Sequence, residues 1–148
     1  MKSAPVANAN ILLVDDNRDG LLVRRSLLEE MGYRVQIACD GEEGLKLFES
    51  CNFDVVVTDY RMPRMDGKEL IQRIRQLNPN ARIILLSGFV DPLGLNEEVT
   101  GADVVIAKSF HEAMHLLSSV KRLLNRAAPR KPPAAQGRAA ARKRAASS

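Results

Sequence analysis

The sequence predicts an α/β fold, a doubly wound five-stranded parallel sheet with helices on both faces, and three observations predict it. Four short runs, "NILLVDD" from Asn10, "DVVVTD" from Asp54, "RIILLS" from Arg82 and "DVVIAK" from Asp103, are apolar without a break. Continuous rather than alternating apolar runs mark strands covered on both faces. A weaker fifth run, "YRVQIA" from Tyr33, stands between the first two. Each run is followed by a segment long enough for a helix, and strict βα alternation implies right-handed crossovers between parallel strands.

The intervening segments read as helices in turn. Gly20 to Met31 is rich in Leu, Arg and Glu and stops at Gly32, a natural residue for a left-handed helix end. Glu42 to Ser50 follows an Asp-Gly start, and Asp66 to Leu77 follows Pro63 and ends before "NPN". A shorter helix is expected over Asp91 to Gly101, with Pro92 at its first position. In the last one, Ala113, Leu116, Leu117, Val120, Leu123 and Leu124 recur at three and four residues and define one apolar stripe.

Charge divides the chain. All 18 acidic residues precede position 113, whereas seven of the 22 basic ones lie from Arg126 onward. That last stretch is Ala, Pro, Arg and Lys with no large apolar residue, a composition that buries too little to offset its ordering entropy. The expected organisation is a flexible N-terminus at 1–9, a folded domain at 10–125 and a disordered basic tail at 126–148. No apolar run approaches the roughly 18 residues that span a bilayer, and the N-terminus lacks the apolar core of a secretory signal. A cytoplasmic setting follows, in which Cys39 and Cys51, in no metal-binding spacing, are ordinary thiols.

In doubly wound sheets ligands bind outside the carboxyl ends of the strands. Those ends carry Asp15 and Asp16, Asp59, Ser87 and Lys108. Three carboxylates in one place repel one another and stay jointly ionised only around a cation. Oxygen ligands without Cys or His select a hard ion, and an open edge suits Mg²⁺. A lysine and a hydroxyl facing that ion complement the remaining oxygens of a phosphoryl group. Neither GxxxxGK[ST] nor GxGxxG occurs, so a nucleotide is not the expected donor, and Asp59 on the central strand is the natural nucleophile.

With "LLVDDN", "VVVTDYRMPRMDG", "IILLSG" and "GADVVIAKSF" in that order, the chain resembles the receiver domain of two-component response regulators, of the single-domain, chemotaxis-regulator-like type. The resemblance covers Asn10 to Asn125 and implies a flavodoxin-like receiver fold. It implies that Asp59 accepts phosphate from the phosphohistidine of a sensor histidine kinase or a phosphotransfer protein. It implies further that Asp15, Asp16 and Asp59 hold Mg²⁺ with the backbone carbonyl of Arg61, while Ser87 and Lys108 contact the phosphoryl oxygens. Such a protein is a phosphoacceptor rather than an enzyme, although it catalyses its own phosphorylation. It signals by docking on a downstream output protein or by passing the phosphate onward.

Two positions depart from the family pattern. Val105 stands where the family has an aromatic ring that swings when the hydroxyl residue moves, and Ser109 follows the lysine where the family has Pro. Two other readings compete for parts of the chain. "HEAMH", His111 to His115, matches the zinc-protease pattern HExxH, but no other His and no later acid supplies a third ligand. Ser109 and Glu112 also form S-x-x-E, the pattern of a helix capping box. The basic tail would be the means of binding nucleic acid, through phosphates alone, since it has no aromatic residue for stacking.

Overall fold

The computed structural model describes residues 8–88, 97–109 and 111–126. Residues 127–148 of the expected tail, most of the N-terminal extension and the Asp91–Pro92 start of the fourth helix lie outside these residues, whereas Arg126, expected in the tail, caps the last helix and accepts a hydrogen bond from Arg82 Nη2 on its backbone oxygen at 2.9 Å. The chain alternates β1 (Asn10–Val14), α1 (Arg18–Glu30), β2 (Arg34–Ala38), α2 (Gly41–Ser50), β3 (Val55–Asp59), α3 (Gly67–Leu77) and β4 (Ile83–Ser87). It continues through α4 (Glu97–Thr100), β5 (Val104–Ala107) and α5 (Glu112–Asn125). All strand pairs are parallel, in the order β2-β1-β3-β4-β5, so the five-stranded doubly wound sheet is as the sequence predicts.

β3 and β4 are buried along their whole length and β1 from Ile11 to Val14, which is why the three read as apolar runs. Their side chains alternate between two cores. Ile11, Leu13, Val55, Val57, Ile84 and Leu86 pack with Leu21 and Leu28 of α1 and with Leu116, Val120 and Leu123 of α5. Leu12, Val14, Val56, Ile83 and Leu85 face the other way, against Leu70, Ile71 and Ile74 of α3 and Leu45 and Phe48 of α2. Burying each such side chain contributes about 1.5–3 kcal/mol. The edge strand β2 is weaker in sequence because Arg34 and Gln36 face solvent.

Caps fix the helix boundaries. Asn17, Asp40 and Asp66 each accept a backbone N–H at the start of α1, α2 and α3, the usual work of an N-cap side chain. These set the starts one or two residues from where the sequence pattern puts them. Gly32 takes φ +95° after α1, and Tyr33 N–H donates to Leu28 O while Gly32 N–H donates to Glu29 O, the expected left-handed termination. No helix among the described residues is long and apolar enough to cross a membrane.

Candidate functional site

The alternation that builds the two cores also aims the site. Asp15 follows Ile11 and Leu13 on the α1/α5 face, and Asp59 follows Val55 and Val57 on the same face. Because β1 and β3 are neighbours at the point where strand order reverses, both carboxylates arrive at one crevice. Asp15 and Asp59 are buried, at 2% and 6% exposure, whereas Asp16 is exposed. One oxygen from each of the three carboxylates lies within 4.8 Å of the others. The structure thus brings together the three aspartates that the sequence singles out.

Lys108, just beyond β5, reaches back across β4. Its Nζ lies 2.5 Å from Asp59 Oδ1 and 4.0 Å from Asp15 Oδ2. Its backbone N–H donates to Ser87 O at 3.0 Å, which locks the end of β5 to the end of β4. Ser87 is itself buried at that end, beside Ala107 in register. Burial pushes the Asp59 carboxyl above the usual aspartate range; Lys108 opposes that rise and the neighbouring Asp15 adds to it. Arg61 sits in the loop after β3, where it lines an open cleft with Asp16, Tyr60, Met62, Pro63 and Asp66. The cleft gives the exposed Asp16 carboxylate access to solvent.

One residue at the site is not singled out in the sequence. Arg24, on α1 and only 9% exposed, donates from Nη1 to Asp15 Oδ2 at 2.8 Å and from Nε to Glu112 Oε2 at 2.6 Å. Burial works against the Arg24 charge, but Glu112 and Asp15 overcome it and hold the guanidinium firmly protonated. The second oxygen of Asp15, Oδ1, accepts the N–H of Asn17 at 2.9 Å. Asp15 is therefore fixed on both sides by protein donors.

This use of Glu112 corrects one expectation and bears on a rival reading. The capping box does not form: His111 N–H donates to Ser109 Oγ at 3.2 Å, and the Glu112 side chain turns away to Arg24. A buried guanidinium is a stronger partner for a carboxylate than an exposed peptide N–H. The HExxH reading fails for the same reason, since its glutamate is held in an ion pair. His111 stands at the N-cap, outside the helical turn, with its ring centroid 6.3 Å from that of His115. Among the described residues, the one cluster of three or more His, Cys, Asp or Glu is the aspartate triad. Val105 is half-buried and packs into the α2/α3 core, and its side chain brings no ring to that position.

The donor set of the triad is all carboxylate oxygen, partly buried, with one exposed member, which fits a hard divalent cation and no soft metal. Residues 11–121 match the response regulator receiver domain family. The chain is 36% identical, over 80% of its length, to the response regulator MprA of Mycolicibacterium vanbaalenii, of which it covers 52%. It is 33% identical, over 83% of its length, to a probable transcriptional regulator, ycf27, of Cyanidium caldarium, of which it covers 51%. It thus spans about half the length of these curated relatives. Among solved structures, the response regulator TrrA of Thermotoga maritima in complex with Mg²⁺-BeF is similar, with a TM-score of 0.71 and 36% identity over 78% of this chain and 98% of that one. A CheY-like receiver domain protein of Methanospirillum hungatei gives a TM-score of 0.74 at 31% identity, covering 80% and 95%. Strand order, the aspartates at the sheet edge and the match across 11–121 agree, and the chain belongs to the response regulator receiver domain family.

Proposed function

We propose that Asp59 accepts a phosphoryl group from a phosphohistidine in a Mg²⁺-dependent reaction, and that the protein signals in that form. The observation that carries this reading is the convergence of Lys108 Nζ on Asp59 Oδ1 at 2.5 Å within the aspartate triad. An oxygen of Asp59 attacks phosphorus in line, the new P–O bond forms as the P–N bond breaks, and the electron pair leaves on the imidazole nitrogen. Lys108 already faces the attacking carboxylate and neutralises the charge of a phosphoryl oxygen placed there. Ser87, buried at the end of the adjacent strand, is the hydroxyl that would contact another phosphoryl oxygen. Asp15, Asp16 and Asp59, with the carbonyl of Arg61, would hold the Mg²⁺, which supplies charge neutralisation for the transferred group.

On this reading the receiver domain is a phosphoacceptor that catalyses only its own phosphorylation. Its donor is a sensor histidine kinase or a phosphotransfer protein, and its readout is docking on an output protein or onward transfer. The free thiols of Cys39 and Cys51 are in keeping with a reducing, cytoplasmic setting. The likeness to TrrA, solved with Mg²⁺-BeF, supports the choice of ion. Incubation with a small acyl phosphate and Mg²⁺ tests the reading: the intact mass should rise by one phosphoryl group, and chelation of Mg²⁺ should prevent it. A gain that survives chelation would contradict the metal requirement.

A further inference from the structure

Arg24 is a buried cation joined at one end to a member of the aspartate triad and at the other to a helix 88 residues away in sequence. Its place is built for. Gly20 lies one turn earlier on α1, and a Cβ there would fall 3.0 Å from Arg24 Nη1 and 3.6 Å from Asp15 Oδ2. The helix therefore carries, inside its first turn, a residue that helices disfavour, and the space so left is filled by the guanidinium. Asp15 and Glu112 hold that group from two sides, so it has little room to yield to a larger neighbour.

Two effects of Arg24 on a cation entering the triad have opposite signs. Holding Asp15 in place saves the ordering of one short side chain, which is a small gain. A fixed positive charge in direct contact with Asp15 repels the incoming ion, and in a partly buried site that repulsion is the larger quantity. Glu112, across the guanidinium, tempers it.

We propose that Arg24 is a positioning residue that acts through Asp15 and lowers the affinity of the aspartate triad for a divalent cation, with Glu112 on α5 setting how strongly it does so. This rests on the reading of the triad as a Mg²⁺ site. Coupling free energies are reciprocal, so a cation arriving at Asp15 shifts Arg24 towards Glu112, and the first turn of α5 feels the occupancy of the site.

Calorimetric titration of the full chain with MgCl₂ tests this. Removing the charge in Arg24→Met should tighten Mg²⁺ binding about fivefold, and removing the tempering charge in Glu112→Gln should weaken it about threefold. Arg24→Lys, which keeps the charge, should stay near wild type. In the Arg24→Met background Glu112→Gln should have little further effect, because Glu112 acts through Arg24. Shifts of the same sign in Arg24→Met and Glu112→Gln would indicate mere loosening of the α1–α5 contact and would overturn the proposal. So would a Glu112→Gln effect that persists in full without Arg24. If circular dichroism shows that Arg24→Met does not fold, Glu112→Gln decides alone, and unchanged affinity there overturns the proposal. A wild-type chain that binds no Mg²⁺ would overturn the site reading itself, whereas wild-type binding that Arg24→Met leaves unaltered would overturn only the role of Arg24.

Discussion

The ammonium of Lys108 lies 2.5 Å from Oδ1 of Asp59, although their strands are separated in the sheet by the whole of β4. The contact spans that strand at its carboxyl end, over Ser87, whose carbonyl accepts the Lys108 N–H. The lysine side chain remains about a third exposed, so the pair is screened and contributes no more than about 1 kcal/mol to folding.

Lys108→Ala should therefore fold with a melting temperature close to wild type. Its defect should appear only when a phosphoryl mimic is offered. Beryllium fluoride with Mg²⁺ should raise the melting temperature of the wild type and raise that of Lys108→Ala by less than half as much. An equal rise would take Lys108 out of the site.

The raised pKa of Asp59 makes a second expectation. Because the folded chain holds this proton more tightly than the unfolded one, the contribution is fully present below the ordinary aspartate range and is lost as pH rises through the folded-state value. Metal-free protein should thus lose stability between acid and neutral pH, and Asp59→Asn should be more stable than wild type at pH 7 and flatter across that range. Mg²⁺ at a hundredfold excess over its dissociation constant should stabilise the wild type by about 2.7 kcal/mol and Asp59→Asn by much less. Thermal melts at several pH values, with and without Mg²⁺, check both statements. A metal-free Asp59→Asn less stable than wild type at pH 7 would contradict them.

Gly67 opens α3 directly beneath the site, with its N–H donated to Tyr60 O at 2.8 Å. A Cβ at this position would lie 2.3 Å from the backbone oxygen of Asp59 and 2.9 Å from Leu85 Cδ1. Backbone cannot give way as a side-chain tip can, so Gly67→Ala should cost about 2–3 kcal/mol. Urea unfolding measures it, and a loss below about 0.5 kcal/mol would show that the β3–α3 loop is freer than its contacts indicate.

These residues also show what the sequence makes legible. The three aspartates, Ser87 and Lys108 terminate apolar strands, and a charge at the end of a buried run is visible because period and position agree. The strand order then brings them together without further information. Arg24 is invisible by the same logic. A single arginine on an amphipathic helix reads as a solvated side chain, and only the crossing of α1 and α5 reveals that it is buried between Asp15 and Glu112. Gly20 is the one local trace, a glycine inside the first turn of a helix with no turn to make. The capping box misleads for a related reason: the S-x-x-E pattern is local, while the partner that wins Glu112 is 88 residues away.

The most direct test of the account is to locate the acceptor atom. After reaction with acyl phosphate and Mg²⁺, borohydride reduction converts a phosphorylated aspartate into homoserine, and peptide mass spectrometry reads its position. Homoserine is expected at position 59 alone, and none in Asp59→Asn. Homoserine at 15 or 16, or phosphate retained on Asp59→Asn, would contradict it.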